Sequence, residues 1–263
     1  MSSEETADAR QGIQSVENAM TVLLALEHGG GPMTLTQIAE GAGMQPSKAH
    51  RYLVSLGRVG LVSQSPRSGR YDLGPSMRRL GAEALRRMDE VGLASEYLPG
   101  LRDRTGHAVG LFVWGEHGPV LVRAEHGSDV LPMIVRVGTT LPLVTTSAGQ
   151  VFLAYLPATQ TEPILRSNRT RNGQAIDDAE ELARIKEKVR SDGLVVTTNA
   201  VLPNVSAIAA PVLGADGSLL LVVVITLPGP DLTPAYARGI GDELLSTTGA
   251  ISAELGYVPR VPS

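Results

Sequence analysis

The sequence predicts an α+β protein with an N-terminal winged helix-turn-helix domain, a linker helix and a C-terminal α/β domain built on an antiparallel sheet. Three observations support this fold class. Residues 34–73 have the pattern of two short helices followed by a basic hairpin. The 263-residue chain is much longer than the roughly 70 to 80 residues of a winged helix, so a second domain is expected. Beyond residue 92, strands joined by hairpin turns alternate with helices, which favours an antiparallel sheet over a doubly wound one.

The expected domains are a disordered tail (1–11), the winged helix-turn-helix (12–74), the linker helix (75–91), the C-terminal domain (92–257) and a second tail (258–263). The polar, mostly acidic N-terminus does not resemble a signal peptide. The apolar run Leu219–Ile225 is only seven residues long, too short to cross a bilayer. The absence of cysteine excludes disulfide bonds and thiolate chemistry. Together these features predict a cytoplasmic protein that does not enter a membrane.

The first three helices are predicted from apolar spacing and from their end signals. A helix is expected from about Ser15 to Glu27, on an apolar stripe made by Val16, Ala19, Met20, Leu23 and Leu24. The second helix begins at Thr34, because Thr34 and Gln37 have the capping-box spacing, and it ends at the glycines of residues 41–43. Pro46 suits the first position of the third helix, since its missing N–H is not needed there.

The third helix and the hairpin after it carry the candidate DNA contacts. Runs at 61–65 and 70–73 flank a Pro- and Gly-containing turn, which predicts a hairpin wing. Residues 41–80 hold seven basic side chains and one acidic one, although the whole chain has a net charge of -4. A recognition helix presents polar groups of its first turns to the major groove, and a wing arginine can reach phosphates. We therefore expect double-stranded operator DNA to be bound by Gln45, Ser47, Lys48, His50, Arg51, Arg67 and Arg70.

Two alternatives remain open for this motif. Surface arginines and lysines often only solvate a face, and some winged helices bind other proteins instead of DNA; such a domain would show no salt-dependent DNA affinity. The linker helix is predicted from Pro75 to about Glu90. Its apolar stripe, outside either domain, favours pairing with a second copy of the chain and thus a homodimer; the stripe consists of Met77, Leu80, Ala84, Leu85 and Met88.

The C-terminal domain is expected to contain helices near residues 93–105, 147–155, 178–191 and 233–255. Its strands are expected near 108–114, 119–125, 133–137, 194–198, 206–213 and 219–227. Turns are predicted at His117-Gly118 and at Asp216-Gly217, the second being a strong hairpin signal.

Catalytic and metal-binding patterns are missing from this domain. The sequence has no glycine-rich phosphate loop, no HExxH and no Gly-x-Ser-x-Gly. The five histidines lack metal-ligand spacing, and two of them are expected to flank a hairpin in solvent: His117 and His126. The acidic cluster of Asp177, Asp178, Glu180 and Glu181 is expected to cap a helix. We therefore expect no metal, no cofactor and no enzymatic activity; an enzyme acting on a small ligand is the alternative.

One segment, Leu141–Gln150, indicates a binding site because it brings hydroxyls and small residues to a helix N-terminus. Free N–H groups at such an end bind anions such as carboxylates. The alternative is that Thr145, Thr146 and Ser147 only cap the helix. The residues leave both interpretations open.

Several motifs occur in the order and spacing of a known family. They are Ser15-Val16-Glu17-Asn18-Ala19, the winged helix, Tyr71-Asp72-Leu73-Gly74, Leu141-Pro142-Leu143 and Ala209-Ala210-Pro211-Val212. Over about residues 12–256 the chain resembles the IclR family of bacterial transcriptional regulators. The resemblance implies a GAF-like C-terminal domain that binds a small organic effector, control of catabolic genes, dimerisation through the DNA-binding half and, often, a homotetramer. Effector binding would then shift the arrangement of two winged helices, favouring the arrangement that it binds better.

The resemblance also implies an effector pocket made by Val130, Met133, Ser147, Ala148, Thr197, Val205, Ala207 and Thr226. Thr197 stands where the family commonly has an acidic residue, and Ala207 where it commonly has a cysteine. With fewer polar anchors the pocket should be apolar and roomy, which favours an aromatic acid or a related aromatic compound over a two- or three-carbon acid. Gly57 replaces a usual acidic residue and should weaken the last turn of the third helix by up to about 1 kcal/mol relative to alanine. Gln45 and Lys48 also depart from the family pattern, so the operator sequence stays open.

Overall fold

The computed structural model describes residues 12–128, 135–172, 179–228 and 233–259. The chain separates into two compact units that divide between Met88 and Asp89. Within the described ranges, no helix is both long and apolar enough to cross a membrane.

The first unit has the elements predicted for a winged helix-turn-helix. They are α1 (Gln14–His28), α2 (Leu35–Gly41), α3 (Pro46–Arg58), β1 (Val62–Gln64), β2 (Tyr71–Leu73) and α4 (Pro75–Arg87). The three helices and the wing share one apolar core, which includes Val22, Leu26, Ile38, Leu53, Leu56, Val62 and Tyr71. The core therefore fixes the orientation of α3, so that its remaining face is left for solvent or a partner.

The predicted end signals of α2 and α3 are confirmed. The N–H of Gln37 donates to Thr34 Oγ1 at 3.3 Å, and the N–H of Thr34 donates to Gln37 Oε1 at 3.0 Å, which is a complete capping box. Gly43 follows α2 with φ of +59°, a conformation that side chains disfavour and that turns the chain towards α3. Pro46 is the first residue of α3.

The second unit contains α5 (Glu90–Thr105), β3 (Ala108–Gly115), β4 (Gly118–Glu125), α6 (Ser147–Tyr155), α7 (Ala158–Asn172) and α8 (Ala179–Asp192). It continues with β5 (Val195–Thr198), β6 (Val205–Leu213), β7 (Leu219–Pro228) and α9 (Pro234–Glu254). The five strands form one antiparallel sheet in the order β4-β3-β7-β6-β5, and the predicted hairpin at Asp216-Gly217 joins β6 to β7. The predicted fold class is confirmed.

Two expectations need correction, and one helix was not predicted. The linker helix ends at Arg87 instead of near Glu90, because the Asp89 carboxylate accepts the N–H of Gly92 at 2.8 Å and starts α5 as a new helix. The strand expected near 133–137 is absent from its described part, since residues 135–137 form a loop and a turn; residues 133 and 134 lie outside the described ranges. The helix α7 was not predicted, because its sequence is mostly polar and contains Pro163, which hides the helical pattern.

The two faces of the sheet pack against different helices. One face contacts α6, and the opposite face contacts α5 and α9. Because successive residues of a strand point to opposite faces, each strand contributes alternate side chains to each layer. The sheet thus has one face on which α6 covers only part of the surface, and the candidate ligand site lies there.

Candidate functional site

A pocket of about 870 Å³, its open mouth included, lies between the sheet and the N-terminal end of α6. Most of the lining is apolar: Ala108, Val109, Gly110, Phe112, Leu121, Ala124, Val135, Leu141, Ala148, Ala200, Val201, Leu202, Val205, Ala207 and Val224. The polar lining residues are Glu125, His126, Thr146, Ser147, Thr197 and Thr226.

The sheet register explains how distant residues meet in this pocket. Thr197 lies opposite Ala207, Ala207 lies opposite Thr226, and Thr226 lies opposite Ala108. Residues directly opposite each other on neighbouring strands place their side chains on the same face. The four residues therefore form one row across β5, β6, β7 and β3. We call this row the polar row, because it carries two threonine hydroxyls.

Thr197 is the most unusual member of the polar row. Its Oγ1 is buried and has no hydrogen-bond partner among the residues that the structure describes. A buried polar atom without a partner is uncommon in folded proteins, since its desolvation costs about 1 to 3 kcal/mol. In a pocket wall, such an atom is suited to a ligand that supplies the missing hydrogen bond.

The N-terminus of α6 shows which of Thr145, Thr146 and Ser147 caps the helix. Thr146 is the cap: its Oγ1 accepts the N–H of Gly149 at 3.1 Å and donates to the carbonyl oxygen of Pro142 at 2.7 Å. Thr145 is exposed, whereas Ser147 is buried in the pocket wall. In the described structure, neither the N–H of Ser147 nor that of Ala148 has an acceptor. The helix end therefore keeps two N–H groups that an anion could use.

The structure brings six of the eight predicted effector residues to this one pocket: Ser147, Ala148, Thr197, Val205, Ala207 and Thr226. The other two, Val130 and Met133, lie outside the described residues. Sequence reasoning missed Phe112 and Ala124, whose strands it did predict. Alternation along β3 would have placed Ala108, Gly110 and Phe112 on one face. The residues of β4 that face the pocket were harder to predict, because the pairing register between β3 and β4 shifts between Leu111 and Phe112.

The loop between β5 and β6 forms part of the pocket mouth. An asparagine with a positive φ stands at each end of the loop, Asn199 at 59° and Asn204 at 60°. Asparagine tolerates this conformation better than most residues. The N–H of Asn204 donates to Asn199 Oδ1 at 2.7 Å, which closes the loop. The loop contributes the apolar residues Ala200, Val201 and Leu202 to the lining.

The end of β4 places two ionisable residues next to each other. Glu125 pairs in register with Val109, and its Oε2 accepts a hydrogen bond from Arg102 Nη1 of α5 at 2.7 Å. The side chain of Glu125 is therefore committed to the α5 side of the sheet. A hydrogen bond to Asp103 is the main cause that raises the pKa of Arg102 above its ordinary value, and the charge of Glu125 acts in the same direction. His126 follows Glu125 and is exposed at the pocket mouth.

The other histidines of the second unit and the described members of the acidic cluster do not line the pocket. A ring nitrogen of His107 lies 2.7 Å from the hydroxyl of Tyr236, which connects β3 to α9. His117 is exposed in the β3–β4 turn, as predicted. Glu180 and Glu181 lie in the first turn of α8, whereas Asp177 and Asp178 lie outside the described residues. Among the described residues, no group of three or more acidic or histidine side chains is arranged to hold a metal ion.

The predicted DNA contacts lie on the open face of α3 and on the wing. Ala49, Leu53 and Leu56 are buried against the core, which turns the opposite face of α3 outwards. All of the predicted contact residues are exposed: Gln45, Ser47, Lys48, His50, Arg51, Arg67 and Arg70.

Two of these contact residues have partners within the unit. Lys48 Nζ donates to Asn18 Oδ1 at 3.4 Å, a long and weak bond on an exposed surface. Arg70 Nη1 donates to the carbonyl oxygen of Pro32 at 3.0 Å and so holds the wing against the segment before α2. Arg67 has no partner within the described part of the chain and extends from the tip of the hairpin.

Comparison with known proteins decides the family. Residues 15–66 match the IclR helix-turn-helix domain, and residues 82–253 match the C-terminal domain of bacterial IclR transcriptional regulators. The chain belongs to the IclR family of bacterial transcriptional regulators. The predicted resemblance is confirmed, and with it the assignment of this IclR-family protein as a regulator instead of an enzyme.

Relatives support this assignment along nearly the whole chain. This regulator is 28% identical to the glycerol operon regulatory protein of Streptomyces griseus, over 94% of this chain and 98% of that protein. It is 24% identical to the transcriptional repressor AllR of Klebsiella pneumoniae, over 98% and 95% of the two chains. The crystal structure of Pseudomonas aeruginosa HmgR shares the fold with a TM-score of 0.82 and 32% identity, over 93% of this chain and 99% of that one.

Proposed function

We propose that this regulator binds operator DNA through α3 and the wing, and that a small organic effector in the pocket of the second unit changes this binding. The observation that carries the proposal is the pocket itself, an apolar site in which Thr197 Oγ1 and the first N–H groups of α6 have no partner within the described ranges. Ligand sites typically combine an apolar wall with a few polar groups that fix orientation. Because several relatives are named as repressors, we propose that this regulator represses a catabolic operon.

The effector class follows from the shape and chemistry of the lining. An aromatic acid suits the site, since its carboxylate can accept from the free N–H groups of Ser147 and Ala148 while its ring contacts apolar residues such as Phe112 and Val224. A two- or three-carbon acid would leave most of the apolar wall uncovered. The departures from the family pattern at Thr197 and Ala207 act in the same direction, because both remove polar or charged groups.

Two further parts of the proposal concern assembly and location. Exposed apolar side chains follow one face of α1, with exposures of 62% for Val16, 48% for Met20 and 45% for Leu24. Such a stripe is suited to pairing with a second copy, so we propose a homodimer through the DNA-binding unit or a homotetramer built from such dimers. We also propose that the protein works in the cytoplasm, where its DNA target is found.

The DNA part is tested with Arg51→Ala and Arg67→Ala in the full chain. Fluorescence anisotropy would measure affinity for a fragment that the wild type selects from random DNA, and for a shuffled fragment of the same composition. If Arg51 contacts a base, its loss should weaken the selected fragment by about 1 to 3 kcal/mol and leave the shuffled one nearly unchanged. Loss of Arg67 should weaken both fragments alike and reduce the salt dependence, because a phosphate contact does not depend on sequence.

Arg58→Ala is the matched control, since Arg58 lies in the last turn of the same helix, far from its N-terminal end. Unchanged binding by both Arg51→Ala and Arg67→Ala would contradict the proposed surface.

The effector part is tested by isothermal titration calorimetry with benzoate, pyruvate and glyoxylate. Tighter binding of pyruvate or glyoxylate than of benzoate would overturn the aromatic assignment.

A further inference from the structure

We propose that His126 is a specificity-determining residue, which recognises a second polar group on the effector at the end of the pocket away from β5. The inference rests on the proposed function, because it assumes that an aromatic acid occupies the pocket. It adds a residue outside the set implied by the family resemblance. It also narrows the ligand class to aromatic acids that carry a hydrogen-bonding substituent on the ring.

The position of His126 follows from the register of the β3–β4 hairpin. Gly110 pairs with Ala124, and Val109 pairs with Glu125. His126 is the first residue after β4, one step beyond the Val109–Glu125 pair, and it lines the pocket together with Ala108, the last member of the polar row. Alternation therefore places His126 on the pocket face together with Ala108 and Ala124, while Glu125 faces α5. His126 extends the polar row to the edge strand of the sheet.

His126 is chemically distinct within the lining. Two of the described lining residues are ionisable, Glu125 and His126. Glu125 already accepts a hydrogen bond from Arg102, which leaves His126 to contact a ligand. In the part of the chain that the structure describes, neither ring nitrogen of His126 has a hydrogen-bond partner. His107, by contrast, is bonded to Tyr236 on the other side of the sheet. A neutral imidazole offers one donor and one acceptor, which suits a phenolic hydroxyl or a second acid group.

The geometry of the sheet sets the length of a ligand that could reach both ends. Thr226 lies on β7, and β7 is separated from β4 by β3 alone. At about 4.8 Å per strand, the backbones at Thr226 and His126 are about 10 Å apart. His126 lines the pocket at one end, and the start of α6 supplies N–H groups to the same pocket. One aromatic ring with polar groups at opposite positions fits this gap, whereas an acid of two or three carbons does not extend across it.

The experiment compares benzoate, 4-hydroxybenzoate and terephthalate by isothermal titration calorimetry on the full-length protein. These acids share the ring and one carboxylate and differ only at the position opposite to it. Because one hydrogen bond at a partly exposed site is involved, the wild type should bind at least one of the substituted acids about 3- to 10-fold more tightly than benzoate. His126→Phe keeps an aromatic ring but removes both nitrogens, so the ratio of the affinities for the substituted acids to that for benzoate should fall to about one.

Two further variants separate recognition from a general structural effect. His126→Gln retains a donor and an acceptor and should restore part of the preference. His117→Phe changes an exposed histidine of the same hairpin that does not line the pocket, so it should leave all three affinities unchanged. An equal loss of affinity for all three acids in His126→Phe would show a structural role and overturn the inference. So would a wild type that binds the three acids equally, although the proposed function would stand. If none of the three acids binds the wild type, the proposed aromatic effector fails and this inference fails with it.

Discussion

Gly149 is a helical glycine whose replacement by alanine should lower the stability of the second unit, although alanine usually stabilises a helix. It is the third residue of α6, directly after the pocket residues Ser147 and Ala148. A Cβ added there would lie 2.6 Å from the carbonyl carbon of Leu143 and closer still to the carbonyl oxygens of Pro142 and Leu143. These atoms are backbone, so they cannot rotate away. Since carbon atoms prefer about 3.5 to 4.0 Å, the start of α6 would have to move by about 1 Å.

The expected size of the effect comes from two opposing terms. Replacing glycine by alanine in a helix gains up to about 1 kcal/mol. Forcing an extra methyl group into a packed site costs about 1 to 3 kcal/mol or more. The second term should win, so Gly149→Ala should lower the free energy of unfolding of the second unit by about 1 to 2 kcal/mol. Because the moved backbone carries the free N–H groups of Ser147 and Ala148, benzoate affinity should fall at least about tenfold.

The protein contains its own reporter for this measurement. Trp114 is the single tryptophan of the chain, and its ring centroid lies 5.5 Å from that of Phe152 in α6. Tryptophan fluorescence in urea therefore follows unfolding of the second unit, including the packing of α6. Gly249→Ala is the matched control, since Gly249 is an exposed glycine of α9 with open space around its Cβ position. This variant should gain about 0.5 to 1 kcal/mol and leave ligand affinity unchanged. The reasoning is refuted if Gly149→Ala is as stable as Gly249→Ala and binds benzoate like the wild type.

Two further substitutions have outcomes that the structure fixes. Thr34→Ala removes the acceptor for the Gln37 N–H and should destabilise the start of α2 by about 1 kcal/mol. Amide hydrogen exchange in α2 should therefore be faster, whereas Thr34→Ser should exchange like the wild type. Unchanged exchange in Thr34→Ala would count against the cap. Thr197→Val replaces an unpartnered buried hydroxyl by a methyl group of similar shape, so the urea midpoint followed through Trp114 should stay the same or rise, while the affinity for the effector should fall. A fall in both quantities would show that the hydroxyl has a structural partner.

The elements of the first unit were predictable because their signals are local. The Thr34–Gln37 capping box, Pro46 and the turn glycines each act within a few residues, and the helices between them begin and end where these signals place them. The break between α4 and α5 was predicted, but about three residues too late along the chain, although its signal is also local. Asp89 is an N-cap residue, but it stands inside a stretch of strong helix formers, so periodicity alone extends the helix through it.

The pocket was predictable only in part, because its residues meet through strand register. Thr197, Ala207, Thr226 and Ala108 are far apart along the chain and become one row only after four strands are paired. Periodicity predicts which face a residue shares within its own strand, but it does not fix the alignment with the next strand. The family resemblance supplied six of the lining positions that the structure brings together. It did not include His126, whose place depends on the shifted register between Leu111 and Phe112.

The state of Thr197 shows what the structure adds to such a resemblance. The family resemblance implies that Thr197, an uncharged hydroxyl, stands where an acidic residue is common, and from this a more apolar pocket is expected. Among the described residues, Oγ1 of Thr197 is buried and has no partner, so the folded protein keeps a desolvated polar atom that a valine would avoid. A stable fold gains nothing from this atom when the pocket is empty. The hydroxyl is therefore better explained by a bound state than by the free protein, and an effector that hydrogen-bonds to it would favour the conformation in which Thr197 faces the pocket.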